Sequence, residues 1–256
     1  IFRLKDHAQR LLESSKVHRM KAGYSTQQLE DAIVEITRMN GYRDDVYIRP
    51  LIFRGGLWQM KDPPIDVVLF VAPAPREERT EKLKKGMRCC VSSWRRIPDE
   101  VMPARAKTCG NYVNSRLASM EATAAGYDSA ILLTMSGKLS EGSGMNIFLV
   151  RDRKMVTPGI TSDVLEGITR ETLITGAQEL GIAVCERNVD RTELYITDEA
   201  FFSGTYLEVT PIVSVDSIPV GQGEAGPITR KMQEWFFKVV EGRAPNHKDW
   251  LTPVYK

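Results

Sequence analysis

The chain has few of the residues that hold metals and disulfides. Its 256 residues include 4 cysteines and 3 histidines, and the cysteines form no CxxC pair while the histidines lie far apart. These spacings exclude the common metal-site patterns. Cys89 and Cys90 are neighbours in a β-rich run, so they should point to opposite faces of a strand, which suits buried thiols better than a disulfide. We therefore expect no metal and a reducing, cytoplasmic compartment.

Long apolar runs and a charge bias are also missing. No stretch reaches the roughly 18 apolar residues of a membrane span, and no signal peptide opens the chain. The 35 basic and 33 acidic residues leave a formal net charge of +2. The densest basic stretch, Arg79 to Arg88, is interrupted by Glu81 and Leu83, which indicates a solvated face. Neither a membrane nor a nucleic-acid partner is expected.

Apolar periodicity predicts helices and strands in mixed order. Helices are predicted for Asp6–Met20 with Asp6 as N-cap, from Ser25 or Thr26 to Asn40, for Asn111–Ala125 with Val113, Leu117, Met120 and Ala124 on one face, for Thr169–Leu180, and from about Pro227. Strands are predicted at 46–53, 67–71, 87–94, 182–189, 201–202 and 209–215, with a hairpin formed by 129–135 and 145–150. The many hairpin signals indicate an α/β (α+β) fold with mixed and antiparallel sheets.

A proline-rich segment divides the chain. Residues 72–76, Ala-Pro-Ala-Pro-Arg, are predicted to be a linker because proline continues neither strand nor helix well. The predicted domains are a small N-terminal one, 1–71, and a large C-terminal one, 77–256.

One glycine motif resembles a nucleotide site. Gly221, Gly223 and Gly226 match GxGxxG and precede a predicted helix. A dinucleotide fold also needs a second strand with an acidic residue about 20 residues on, whereas only the last helix and a polar tail follow here. Nicotinamide binding is therefore not predicted.

Four segments carry groups that suit cofactor chemistry. Lys107 stands among small residues just before a helix, where a desolvated amine can attack a carbonyl, although a surface lysine is the commoner case. Glu141 lies between a strand and a glycine bend, where a ligand can approach the backbone. The segment 165–170 starts a helix, whose free N–H groups can bind an anion, and 203–205 offers similar donors.

Together these segments resemble the fold type IV pyridoxal 5'-phosphate (PLP) enzymes, and within them the branched-chain amino acid aminotransferases, over essentially the whole chain. The motifs that carry the resemblance are His7-Ala8-Gln9-Arg10-Leu11, Tyr47-Ile48-Arg49-Pro50, Val91-Ser92-Ser93-Trp94, Lys107 to Asn111-Tyr112, Ser140-Glu141-Gly142, Gly167-Ile168-Thr169-Arg170 and Ser203-Gly204-Thr205.

The resemblance implies a two-domain fold like that of D-amino acid aminotransferase, a homodimer or higher homo-oligomer, and a role for each motif. Lys107 is the Schiff-base lysine, Glu141 pairs with the pyridine nitrogen of PLP, and Tyr112 hydrogen-bonds its phenolic oxygen. The cofactor-binding set, mainly for the phosphate, is Arg10, Gly167, Ile168, Thr169, Gly204 and Thr205. Tyr47, Arg49, Thr205 and Tyr206 form the substrate-binding set, with Arg49 on the distal carboxylate of glutamate. The implied reaction transfers an amino group between an L-amino acid, branched-chain or related apolar, and 2-oxoglutarate.

The sequence departs from the family pattern in two places. It opens at Ile1 as if at the end of a strand, and the family's N-terminal strand with its pocket motif is absent, so we expect preceding residues to be missing from the sequence. Ala72-Pro73-Ala74 stands where the branched-chain enzymes usually have a tryptophan of the substrate wall, which implies a wider pocket.

Two alternatives stay open. The first is a sister activity on the same fold, namely D-amino acid or (R)-amine transamination or an aminodeoxychorismate lyase reaction, although Arg49 favours the L-branched-chain type because a guanidinium recognises a second carboxylate. The second is a degenerate, non-catalytic binding subunit.

Overall fold

The computed structural model describes residues 1–57 and 59–255, without the side chain of Glu78, and divides into two compact units. One unit is Ile1–Arg76 with Gly242–Lys256, and the other is Glu77–Glu241. The prediction that the C-terminal residues belong to the larger domain is therefore wrong as far as 242–255, and Lys256 lies outside the described residues. The tail joins the first unit because Phe2 bridges Leu251 and Arg38 Nε donates to the carbonyl of Val254 at 2.9 Å.

Two helices and a hairpin form the first unit. They are α1 (Leu4–Val17), α2 (Thr26–Met39), β1 (Val46–Arg54) and β2 (Ile65–Pro73), with β1 and β2 antiparallel. Of the two predicted caps of α2, Ser25 and Thr26, the structure has Ser25, which forms a complete capping box with Gln28. The prediction for α1 is wrong at both ends. Its N-cap is Arg3, with φ of 48°, and Asp6 lies inside the first turn, where its carboxylate accepts from Arg3 Nε at 2.7 Å.

The predicted linker is shorter than expected. Pro73 pairs with Val46 at the end of the hairpin, and the N–H of Ala74 donates to the carbonyl of Asp45 at 2.9 Å. Proline is tolerated in a strand at such a terminal position, because no ladder hydrogen bond is lost there.

The second unit is built on a mixed nine-stranded sheet, as the fold-class prediction expects. The elements are α3 (Glu77–Lys85), β3 (Met87–Arg95), α4 (Asn111–Ala124), β4 (Ser129–Leu133), β5 (Leu139–Gly142), β6 (Asn146–Arg151), β7 (Lys154–Thr157), α5 (Ile168–Glu179), β8 (Val184–Glu186), β9 (Glu199–Gly204), β10 (Glu208–Val215), β11 (Ile218–Pro219) and α6 (Pro227–Val240). The strand order is β5-β4-β3-β10-β9-β6-β7-β8, with β11 paired to β10. Neighbours β4, β3 and β10 are parallel, as are β7 and β8, and the other pairs are antiparallel.

The two adjacent cysteines mark the two faces of β3. Cys89 belongs to the main apolar cluster, which contains Ile131 and Phe202, whereas Cys90 packs in a separate cluster with Ala118 of α4. The alternation predicted for these thiols is thus confirmed. Burial raises the pKa of the Cys89 thiol well above its ordinary value, so this group stays protonated and unreactive.

The apolar residues predicted to share one face of α4 do share it, and this face is exposed. Val113 and Met120 are 65% and 55% exposed, while Ala118 and Ala122 are fully buried against β3 and β4. Small residues face the sheet because α4 packs closely on it, so the larger apolar side chains of the helix point outward.

The predicted hairpin after α4 has a different partner strand. The chain turns at Gly137 into β5, which pairs with β4, and the bend at 142–144 then redirects it into β6 beside β9. The sequence pattern missed β5 because its four residues are too short for alternation to show.

The basic stretch that begins at Arg79 is not wholly solvated. Arg79 is buried and donates to the carbonyl of Tyr206 at 3.3 Å, whereas Lys82, Lys84 and Lys85 are exposed as predicted. In the part of the chain that the structure describes, no helix is long and apolar enough to cross a membrane.

Candidate active site

Lys107 lies in the turn that precedes α4. Its neighbours Ala104 and Ala106 are buried, at 3% and 1% exposure, and anchor the turn, while Lys107 itself points outward. Lys107 Nζ donates to the phenolic oxygen of Tyr112 at 2.5 Å. The expectation of a desolvated lysine is therefore wrong for this structure: the small residues are buried and the amine is accessible.

Glu141 on β5 supplies a buried carboxylate. It is 5% exposed and pairs through Oε1 with Arg96 Nη2 at 3.0 Å, while its Oε2 accepts from Asn146 Nδ2 and from the Leu165 N–H, each at 3.1 Å. Burial raises the pKa of Glu141 to about 7, and Arg96, the Leu165 N–H and Lys107 oppose that rise. The ammonium of Lys107 thus acts on this carboxylate from within the same site.

The N-terminus of α5 is open. Its N-cap, Gly167, is extended, with φ of −73° and ψ of 132°, and no side chain among the described residues accepts a hydrogen bond from the Ile168 or Thr169 N–H. A β-carbon at Gly167 would lie 2.1 Å from Asn146 Oδ1, so only glycine fits beside that amide. Since Asn146 Nδ2 also donates to the Leu165 carbonyl at 2.8 Å, the amide joins the start of α5 to Glu141. Ile168 and Thr169 occupy the first helical positions, where free N–H groups can bind an anion.

The end of β9 lies beside Asn146. Ser203 pairs with Asn146 across β6 and β9, and its hydroxyl is buried without a hydrogen-bond partner among the described residues. A β-carbon at Gly204 would lie 3.9 Å from the Gly144 carbonyl, and one at Gly144 would lie 3.9 Å from the Tyr112 ring. Thr205 and Tyr206, at the following turn, are exposed. The structure therefore brings the predicted residues of the second unit together.

The GxGxxG segment contributes nothing to this site. The carboxylate of Glu199 accepts from the Ile228 and Thr229 N–H groups at 2.9 and 2.7 Å, so the α6 N-terminus is already filled. A β-carbon at Gly226 would lie 2.1 Å from Glu199 Cδ. Gly226 thus makes room for a helix cap, while Gly221 and Gly223 adopt positive φ in the turn that precedes it.

The remaining predicted residues lie in the first unit. Arg10 is a half-buried residue of α1, and Tyr47 and Arg49 belong to β1. The guanidinium of Arg49 is exposed and lies 5.3 Å from the centre of the Tyr47 ring, so both side chains share a face, as strand alternation predicts.

Arg96, Asn146 and the Leu165 N–H were missed by sequence reasoning. Asn146 stands next to the glycine bend that pointed to Glu141, so its position in the motif was a usable signal. Arg95 and Arg96 are adjacent and chemically alike, and only the packing shows that Arg96, at 5% exposure, is the buried one.

Comparison with known proteins agrees with this geometry. The model of amino-transferase class IV matches residues 1–215. A branched-chain-amino-acid aminotransferase of Escherichia coli K12 is 40% identical over 258 residues, which cover 99% of this chain and 83% of that protein.

Solved structures are equally similar. A branched-chain amino acid aminotransferase from Thermobaculum terrenum in its PLP form superposes with a TM-score of 0.95 at 44% identity, covering 100% of this chain and 84% of that one. The T.th. branched-chain amino acid aminotransferase complexed with N-(5'-phosphopyridoxyl)-L-glutamate gives a TM-score of 0.92 at 43% identity, with coverage of 100% and 84%. The fold type IV architecture is confirmed by these matches, and the chain belongs to the class IV aminotransferases, within them to the branched-chain amino acid aminotransferases.

Proposed function

We propose that this protein transfers an amino group between an L-amino acid, branched-chain or related apolar, and 2-oxoglutarate, with PLP as its cofactor. The observation that carries the proposal is the arrangement of an accessible lysine on a tyrosine hydroxyl, Lys107 on Tyr112, beside the buried carboxylate of Glu141. Family membership and the PLP and phosphopyridoxyl-glutamate forms of the relatives support it.

The residues present fit PLP. The cofactor is a phosphorylated pyridine that carries an aldehyde, so it needs an anion site, an amine and a partner for its ring nitrogen. The N-terminus of α5, with Gly167, Ile168 and Thr169, suits the phosphate. The buried hydroxyl of Ser203 has no hydrogen-bond partner among the described residues, so it offers a further polar group. Because Gly204 has no side chain, the phosphate can approach its backbone closely. We assign Arg10 and Thr205 to the phosphate as well.

The chain's own residues then divide the work. PLP, when bound, supplies an electron sink for the carbon that loses a proton. Lys107 Nζ acts as the base and acid that moves a proton at the substrate α-carbon. Tyr112 orients that amine through the 2.5 Å hydrogen bond. Glu141, an acceptor in a dry environment, holds the N–H of the ring.

The family resemblance assigns substrate selection to two sets of residues. We assign Tyr47 and Arg49 to the distal carboxylate of glutamate and Thr205 with Tyr206 to the α-carboxylate. Arg49 is exposed and stacked on Tyr47, and the planar N–H fork of a guanidinium can receive a carboxylate in two parallel hydrogen bonds. The enzyme must also accept an apolar side chain in the other half-reaction.

The function is tested on purified protein loaded with PLP. A visible absorption band that borohydride removes, leaving Lys107 modified, is the expected result. A panel of L-amino acids, D-amino acids and (R)-amines should show turnover with L-leucine, L-isoleucine or L-valine and 2-oxoglutarate. Turnover with D-amino acids or (R)-amines alone, or lyase activity, would favour the sister activities, and no turnover of any kind would favour a non-catalytic subunit.

Arg49→Ala tests the substrate assignment. Single-turnover rates with glutamate should fall by more than about tenfold while those with leucine are spared, since truncating one partner of a charge pair that is buried in the complex costs about 2–5 kcal/mol. Arg43→Ala is the matched control, because Arg43 stacks on Tyr255 in the same unit at 3.6 Å and has no assigned role. Equal losses for both donors would contradict the assignment.

The assembly and the compartment are proposed on narrower grounds. We assign the outward apolar face of α4, with Val113, Leu117 and Met120, to the interface of a homodimer, as family resemblance and the exposure of these side chains favour. Met120→Glu should then shift the light-scattering mass toward the monomer.

The free thiols of Cys89 and Cys90, both buried, suit a cytoplasmic location, and fractionation of cells would test it.

A further inference from the structure

Arg96 is a buried arginine to which the proposed chemistry has so far assigned no part. It follows β3, is 5% exposed and is fixed by the backbone on two sides. Its N–H donates to the Leu133 carbonyl at 2.9 Å, and its Nε donates to the Asp163 carbonyl at 3.1 Å. The guanidinium reaches Glu141 Oε1 at 3.0 Å, so its position is set before it meets the carboxylate.

The two oxygens of Glu141 differ in what they bind. A carboxylate oxygen accepts about two hydrogen bonds, and Oε2 already accepts two, from Asn146 Nδ2 and the Leu165 N–H. Oε1 forms an ion pair with the guanidinium of Arg96 and accepts no hydrogen bond from the described residues. The open acceptor positions of Glu141 are therefore on the oxygen that faces Arg96.

We propose that Arg96 is a positioning residue for transamination, which favours the ionised form of Glu141 and leaves its Oε1 open to the pyridine N–H of PLP. The inference rests on the proposed function, because it takes PLP as the group that meets Glu141. It adds an assignment distinct from those of Lys107 and Tyr112, which hydrogen-bond to each other.

Arg96 matters because it influences the position of the proton that Glu141 and the pyridine nitrogen of PLP share. A carboxylate and a pyridine nitrogen in one hydrogen bond hold one proton between them, and the stronger base keeps it. Burial makes Glu141 a stronger base than an ordinary carboxyl, and the contact with Arg96 works against that effect. Without the guanidinium, the proton moves to Glu141 and the ring nitrogen becomes neutral, so the ring withdraws electrons less well. The number of protons in the site does not change.

The test measures the protonation of the ring nitrogen directly. The wild type and the variants Arg96→Gln, Arg96→Lys and Arg187→Gln are loaded with PLP that is labelled with ¹⁵N in its ring, and the ¹⁵N chemical shift is recorded against pH. Arg187→Gln is the matched control because Arg187 also pairs with a glutamate, Glu193, at 2.7 Å in the same unit but outside the site. PLP content and melting temperature are measured for each sample.

We expect the pyridinium shift in the wild type, in Arg187→Gln and, near neutral pH, in Arg96→Lys. Arg96→Gln should show the shift of a neutral pyridine, and its kcat should fall by at least about tenfold, the factor that corresponds to one pKa unit of the carboxyl. In a Glu141→Gln background, Arg96→Gln should change kcat no further, since its effect passes through that carboxylate. A folded, PLP-loaded Arg96→Gln that keeps the pyridinium shift would overturn the proposal.

Arg96→Lys covers the case in which Arg96→Gln does not fold. A buried lysine can lose its proton at high pH, whereas arginine stays charged. The pyridinium shift of this variant should therefore disappear at a lower pH than in the wild type, and identical titrations would overturn the role of Arg96. Failure of the wild type itself to take up PLP would instead overturn the proposed function, and this role with it.

Discussion

The N-termini of α5 and α6 look alike in sequence and differ in what they can bind. Each helix follows a glycine N-cap, Gly167 or Gly226, at which a β-carbon would meet a polar side chain at 2.1 Å. The first N–H groups of α6 are taken by the buried carboxylate of Glu199, whereas no side chain in the described part of the chain accepts from the Ile168 or Thr169 N–H of α5. A helix N-terminus is an anion site only where the fold leaves its donors unfilled.

The more conspicuous glycine motif of the two does not mark the anion site. The α6 N-terminus follows a full GxGxxG motif, and the α5 N-terminus follows a single glycine in Leu165-Glu166-Gly167. Glycine spacing reports that something approaches the backbone closely. In α6 that group is the protein's own carboxylate, and in α5 it is the amide of Asn146, which also supports Glu141.

Replacing Lys107 has the largest expected effect, and it distinguishes PLP binding at the α5 N-terminus from catalysis. Lys107→Ala should lower transamination by about 10²–10⁴-fold, because the proton-transfer group is lost. PLP should still bind, since the α5 N-terminus and its neighbours are unchanged. Turnover rates together with PLP content after dialysis check this. Full turnover would contradict the role of Lys107, and complete loss of PLP would contradict that of α5.

Emptying the α6 N-terminus should weaken the fold and leave the cofactor site intact. Glu199→Ala removes three hydrogen bonds to a buried carboxylate, those from Ile228 N, Thr229 N and Thr229 Oγ1. The free energy of unfolding should fall by about 2–4 kcal/mol, as for a lost cap with charged hydrogen bonds. Denaturant titration measures it, with the exposed Glu224→Ala as control. A weaker PLP affinity in the folded variant would break the distinction between the two helices.

Filling the two glycine positions compares the helices directly. Gly167→Ala should displace Asn146 and with it the support of Glu141, so that PLP affinity falls by about tenfold, in line with about 1–3 kcal/mol for overpacking. Gly226→Ala should lower stability by a similar amount through Glu199 and leave PLP affinity unchanged. Fluorescence titration with PLP measures the PLP affinity of each variant, and thermal melting measures its stability. Equal losses of PLP affinity in the two variants would mean that α5 has no special part.

The buried carboxylate of Glu141 also allows a test by pH, with the smallest expected effect. Burial raises the pKa of Glu141 from 4.5 to about 7, so between these values the folded state keeps a proton that the unfolded state has lost. The contribution of Glu141 to stability is therefore full below pH 4.5 and decreases as pH rises toward 7. The difference in unfolding free energy between Glu141→Gln and the wild type, both without PLP, should grow by about 1–3 kcal/mol over that range. A difference that is flat with pH would contradict the raised pKa.

Much of the fold was predictable from local pattern. The capping box at Ser25, the opposite faces of Cys89 and Cys90, and the helix from Pro227 follow from side-chain chemistry and periodicity, and the structure confirms them. The buried face of α4 was not predictable, since its apolar stripe points outward and its alanines face the sheet. Periodicity shows that a helix has an apolar face, but it does not show which neighbour the helix packs against.

The sequence by itself determined the family, the mixed fold and the identity of the chemical groups, because motifs and alternation are local properties of the chain. Only the tertiary structure decided that Lys107 is accessible, that Arg96 and not Arg95 holds Glu141, and that Glu199 fills the N-terminus of α6. The last two outcomes depend on contacts between residues that are far apart in the sequence. Glu199 and Ile228 are separated by 29 positions, and Arg96 and Glu141 by 45. Burial, and with it the proton affinity of a carboxylate, arises from such distant contacts, which a linear pattern does not contain.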